Sequence, residues 1–147
     1  MISLRRPVEP AIVTCPYGMR ANPFTGLHGQ HHPGIDFRAA LGQPVMAAAD
    51  GIVARSYHSQ GDGFAVRDPR KRIFSYGECI VIRHDDGSET RYAHLDQRLV
   101  VEGNRVAAGQ VIGQAGASGD CTGPHVHFEF RATVDPAPYF EASNNVA

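Results

Sequence analysis

A chain of 147 residues with 42% hydrophobic and 20% charged side chains has the size and composition of one domain, large enough to bury a core without staples. Its net charge of −1 gives no electrostatic footing for nucleic acid or an anionic membrane, so neither is an expected partner. No apolar run could span a bilayer, and Met1-Ile2-Ser3-Leu4-Arg5-Arg6-Pro7 lacks the apolar stretch of a signal peptide, so no membrane insertion is expected and delivery to any site outside the cytoplasm falls to something else.

The 16 glycines and 10 prolines punctuate short apolar segments, and no long helical period stands out. Residues 1–15 read as an irregular N-terminal segment, and Pro16-Tyr17-Gly18-Met19-Arg20 reads as a turn within thirty irregular residues. Pro44 to Ala49, Asp50-Gly51 and Ile52 to Tyr57 read as strand, tight turn, strand. The longest stretch without a strand pattern is 58–77, either a solvated insertion or the wall of a groove. Its basic run Arg67–Arg72 reads as a solvated loop. Glu78–His84 and Glu89–Leu95 alternate around Asp85-Asp86-Gly87-Ser88 as a hairpin, and Val106, Val111-Ile112-Gly113 and His125–Arg131 complete the series. The expected fold is all-β, a small antiparallel sandwich or open barrel forming one domain over 1–147, with its core at about 16–140. Cys15, Cys79 and Cys121 are odd in number and form no Cys-x-x-Cys pair, so they read as small buried hydrophobes, with one disulfide left open.

Chemistry concentrates in the histidines. In the strand pattern His125-Val126-His127-Phe128-Glu129-Phe130, residues i and i+2 share a face roughly 6–7 Å apart. One imidazole can therefore hold a metal while its neighbour handles a proton. His32-Pro33-Gly34-Ile35-Asp36 offers a second nitrogen and a carboxylate, and Pro33-Gly34 rules against a helix there, so a turn into a strand must present both groups. Together His32, Asp36 and His127 make the three-ligand set of a catalytic zinc, with one position left for water. Tyr92-Ala93-His94-Leu95 supplies a further imidazole, and no helical His-Glu-x-x-His signature occurs. His28 and His31 read as exposed loop residues, His84 as structural or exposed. Glu129 shares the face of His125 and His127; it reads as a hydrogen-bonding support for a ligand or as a solvated strand end.

This constellation resembles the lysostaphin-type, LytM-like peptidoglycan metalloendopeptidases. The resemblance rests on five ordered segments: His32–Asp36, Gly42–Val53, Tyr92–Leu95, Gly103–Gly113 and Gly123–Glu129, within a span from about Pro16 to Tyr139. It implies a small antiparallel β-fold of the duplicated-hybrid-motif kind with long loops walling a groove. It implies one zinc ion on His32, Asp36 and His127, and roles for His94 and His125 on the water and the developing oxyanion, with the division between these two left open. The implied substrate is a peptidoglycan cross-link, either a glycine-rich bridge or a D-alanyl–diaminopimelate bond. Arg20 resembles a recurrent family position, though a surface ion pair accounts for it equally. The sequence departs from many relatives in lacking a tyrosine shortly before the first zinc histidine; either Tyr17 reaches the site or that contribution is missing.

Two other readings compete. Val45–Val53 and Val106–Gly113 look like the paired strands of biotinyl and lipoyl carriers, but the only lysine, Lys71, stands outside any such hairpin. A decayed, non-catalytic wall-binding or amidase-regulating module would be expected to have lost ligands, and all five positions are present. The expectation is a monomeric cell-wall hydrolase, acting in periplasm or outside the cell. A bare domain starting at Met1 suits a phage lysin, released by a holin or carried on the particle, as well as a processed fragment.

Overall fold

The alternating segments around 78–84, 89–95 and 125–131 all become strands. The structure is a computed structural model that describes residues 2–21, 26, 29–59, 75–119, 121, 123–132 and 137–139, with the main chain alone for Arg20, Gln30 and Tyr139. The strands are β1 (Val13–Cys15), β2 (Gly18–Arg20), β3 (Gln30–His32), β4 (Ile35–Arg38), β5 (Pro44–Met46), β6 (Gly51–Ser59), β7 (Gly77–His84), β8 (Glu89–Arg98), β9 (Arg105–Val106), β10 (Val111–Ala115) and β11 (His125–Arg131). A 3-10 turn follows at Ala137–Tyr139. Nine strands form one antiparallel sheet in the order β1-β4-β11-β8-β7-β6-β9, with β10 pairing both β5 and β8, while β2 and β3 pair separately. The all-β expectation holds.

Alternation assigns the two faces. On β11, Val126 and Phe128 enter a main core with Phe37, Val45, Val53, Ile80, Ile82, Tyr92, Leu95 and Ile112. Each such side chain contributes about 1.5–3 kcal/mol on burial. The residues between them, His125, His127 and Glu129, point to the other face, where Tyr76, Cys79 and Ala93 form a smaller cluster. The functional face is thus the reverse side of a well-packed sheet.

Four local readings change. The stretch Pro44–Tyr57 is not a hairpin: β5 pairs with β10, and β6 pairs with β7 and β9. The reason is the Ala47-Ala48-Ala49 run between them, which is buried and carries the chain into the core instead of folding back. Residues 1–15 are not wholly irregular, because β1 pairs with β4, and the expected turn at 16–20 contains β2, paired to β3. Strands of three residues carry too little alternation to read alone. The hairpin β7–β8 forms as expected, and His84 is structural: its Nδ1 lies 2.8 Å from the Asp50 carbonyl and its Nε2 2.8 Å from Thr90 Oγ1. All three cysteines carry free thiols, and only Cys79 is buried, since Cys15 and Cys121 are half-exposed. Among the described residues no helix is long and apolar enough to cross a membrane. His28, Lys71, the run Arg67–Arg72 and most of 58–77 lie outside the described residues.

Candidate active site

Register builds the site. Asp36 on β4 stands directly opposite His127 on β11 and opposite Cys15 on β1, so three neighbouring strands set Cys15, Asp36 and His127 in a row on one face. His32 ends β3, and Pro33-Gly34 turns the chain into β4. Gly34 is required there, because a Cβ would run into the Phe128 carbonyl oxygen and the His127 ring.

The three groups meet. His32 Nε2 lies 3.2 Å from His127 Nδ1 and 3.3 Å from Asp36 Oδ1, and His127 Nδ1 lies 2.8 Å from the same oxygen. Ligands of a tetrahedral zinc with bonds of about 2.0–2.1 Å stand about 3.3 Å apart. His125, two residues before His127 on the same face, places Nε2 3.7 Å from Asp36 Oδ1. The His94 ring centroid is 4.9 Å from that of His125 and 6.0 Å from that of His127. All five residues expected at the site are in one cluster.

His94 arrives by a backbone irregularity. Between the pairs Glu78↔Leu95 and Ile80↔Tyr92, β8 carries one residue more than β7, a bulge that re-aims a side chain. His94 has φ 60°, the only positive value at a non-glycine position among the described residues. Its N–H donates to the Tyr76 carbonyl at 2.8 Å, and its carbonyl accepts from Gly116 N at 3.1 Å. Nearby, Gly77 and Gly119 pack main chain against main chain, and a Cβ on either would collide with the other segment's backbone.

Hydrogen bonds assign the tautomers. The outer nitrogen of every site histidine faces an acceptor: His32 Nδ1 the Pro16 carbonyl at 2.8 Å, His94 Nδ1 the Ser118 carbonyl at 2.7 Å, His125 Nδ1 the Gly123 carbonyl at 2.8 Å and His127 Nε2 the Glu129 carboxylate at 3.0 Å. Each of these nitrogens donates, so the inner nitrogen of each neutral ring presents an electron pair. Two imidazole lone pairs and a carboxylate oxygen then converge at His32, His127 and Asp36, an arrangement that calls for a cation. A proton on His127 satisfies one contact; a divalent metal ion satisfies all three.

Electrostatics agree with the geometry. Burial alone would raise the Asp36 carboxyl, but the His127 and His32 rings, which donate to it when protonated, and the charges of His127 and His125 hold it far below the carboxylate range. His127 is raised: burial opposes its charge, and hydrogen bonds to Asp36 and Glu129 overcome it. His94 is pushed down to about 3, first by burial and then by the charges of His125 and His127.

Some features escaped the sequence. Cys15 Sγ, read there as a buried hydrophobe, lies within 4.8 Å of ligand atoms of both His32 and Asp36, making a second possible trio. Glu129 is buried support, not a solvated end. Tyr17 does not enter the site: it is 63% exposed and stands edge-on to the exposed His31 at 4.9 Å. Tyr76 does reach the site, and no motif announced it.

Residues 30–138 match the profile of peptidase family M23. The chain belongs to that family. This M23 domain is 39% identical over 133 residues to the DD-carboxypeptidase/endopeptidase Mpg of Neisseria meningitidis, covering 88% of this chain and 27% of that protein. It therefore spans only about a quarter of that curated relative. Among solved structures, a zinc-containing peptidase from Vibrio cholerae superposes with a TM-score of 0.71 at 34% identity, over 88% of this chain and 36% of the other. The catalytic domain of the antimicrobial peptidase lysostaphin from Staphylococcus simulans gives 0.66 at 28% identity, over 88% and 91%. The resemblance read from the five segments is thereby borne out for family and fold.

Proposed function

We propose that this M23 domain is a zinc-dependent DD-endopeptidase that hydrolyses peptide cross-links of bacterial peptidoglycan, with one zinc ion held by His32, Asp36 and His127. The observation that carries the reading is the convergence of three electron-pair donors at separations of 2.8–3.3 Å, with both imidazoles oriented by a bond on the outer nitrogen. His127 is a better third ligand than Cys15 because it stands at 2.8 Å and 3.2 Å from the other two ligand atoms. The name of the 39%-identical relative favours the DD-bond over a glycine bridge. Every proposed group comes from one chain, so a monomer suffices, and the place of action is the wall that holds the substrate.

When bound, zinc supplies a positive charge that polarises the scissile carbonyl and acidifies the attacking water. The chain's own residues do the rest. His94 and His125 both offer acceptor Nε2 atoms beside the metal ligands, so the pair takes the proton from water and returns it to the leaving amine. Once protonated, the same ring donates to the oxyanion of the tetrahedral intermediate. The carbonyls of Ser118 and Gly123 keep both rings turned the right way.

The test is mass spectrometry of defined DD-cross-linked muropeptide dimers incubated with purified protein. Conversion to monomers is expected, lost with a chelator and regained with zinc. Stoichiometric zinc with no cleavage of either DD-linked or glycine-bridged substrates would mark a binding module instead.

A further inference from the structure

We propose that Tyr76, Glu129 and Arg91 form a buried positioning network that holds His127 in its metal-binding tautomer and, through the Tyr76 carbonyl, holds the bulged main chain at His94. The inference rests on the reading of His127 as a zinc ligand and concerns residues that do not touch the reacting atoms.

Glu129 is a carboxylate at 1% exposure, a placement that requires compensation. Its Oε1 accepts from the Tyr76 hydroxyl at 2.6 Å and from His127 Nε2 at 3.0 Å. Its Oε2 faces Arg91 Nε at 3.6 Å and Arg131 at 3.2 Å. The Arg91 guanidinium lies over the Tyr76 ring, 4.4 Å from the centroid, and donates to Tyr57 Oη at 2.8 Å. An ionised carboxylate only accepts, so it compels His127 Nε2 to carry the proton. Nδ1 is then left as the electron pair aimed at Asp36, and the carboxylate behind the ring makes that nitrogen a stronger donor to a metal.

Tyr76 acts at two points. Its hydroxyl braces Glu129, and its carbonyl accepts the His94 N–H at 2.8 Å, the main-chain bond at the left-handed residue. Its ring centroid stands 5.9 Å from that of His127. One residue therefore touches the supports of a metal-side histidine and of a proton-handling one. A purely structural ion pair would share the burial, yet it would not control the His127 tautomer.

The experiment compares the wild-type chain with Glu129→Gln and Tyr76→Phe, the latter keeping ring and carbonyl. Folding is checked by circular dichroism, zinc affinity by competition with a chromophoric chelator, and the His127 tautomer by long-range nitrogen–proton NMR of the metal-free protein at a pH where the ring is neutral. Glu129→Gln is expected to weaken zinc about 10–100-fold, to populate the second His127 tautomer and to lower kcat more than it changes KM. Tyr76→Phe is expected to move the same readouts less far. Wild-type zinc affinity and tautomer in either folded variant would overturn its part in the network, and in both would overturn the network. Should Glu129→Gln not fold with Arg91 left without its carboxylate, Tyr76→Phe carries the decision alone. Failure of the wild-type chain to bind zinc or cleave muropeptides counts instead against the proposed function.

Discussion

At His127 one imidazole serves two masters, Asp36 on its inner nitrogen and Glu129 on its outer one. That division gives the site histidines different mutational signatures. His127→Ala is expected to abolish both zinc content and cleavage. His94→Ala and His125→Ala should keep stoichiometric zinc by elemental analysis while losing about 10²–10⁴-fold in turnover. Loss of metal from His125→Ala would reverse the assignment. His32, Asp36, His125 and His127 were legible because a strand spacing of two and a carboxylate four positions past a histidine are side-chain patterns. The Pro16, Ser118 and Gly123 carbonyls that orient the rings are main-chain atoms, which leave no mark in residue identity. Tyr76 was equally silent, since its partner Glu129 is 53 positions away.

At the level of elements, the site depends on how closely β11 approaches the turn between β3 and β4. Gly34 is the contact point, packed against the Phe128 carbonyl. Gly34→Ala should destabilise the fold by about 1–3 kcal/mol through overpacking and weaken zinc binding, because the turn that sets His32 against Asp36 must withdraw. Denaturant unfolding of apo-protein, together with chelator competition, checks both effects; a fully stable variant with unaltered affinity would contradict the packing argument. The β7–β8 hairpin could be read because both strands are long and alternate around Asp85–Ser88. The bulge at His94 could not, because alternation places residue 94 on the face opposite Ala93, and only the extra residue and left-handed φ bring it to the site. The pairing of β5 with β10 was hidden for a related reason: it joins segments far apart in sequence, and the local pattern favours the nearer partner.

On the scale of the molecule, one face of the sheet supplies stability and the other supplies chemistry, so the two respond to different conditions. On the core face, burial raises the Tyr92 phenol from 10.0 to about 12. The unfolded chain releases this proton near pH 10 and the folded one holds it, so the associated stability is whole below about pH 10 and is lost as pH rises toward 12. Tyr92→Phe should flatten this alkaline limb in thermal melts. At neutral pH it should cost about 1–3 kcal/mol, by leaving the buried Ala48 N–H without its acceptor. Unchanged alkaline melting in the variant would mean that the phenol is not the group responsible.

On the chemical face the measurement that reaches furthest is X-ray absorption at the zinc edge of the loaded protein. A shell of nitrogen and oxygen alone at about 2.0–2.2 Å is expected, from two imidazoles, one carboxylate and an exchangeable oxygen. A sulfur scatterer at about 2.3 Å would put Cys15 in place of His127 or of water and contradict the account.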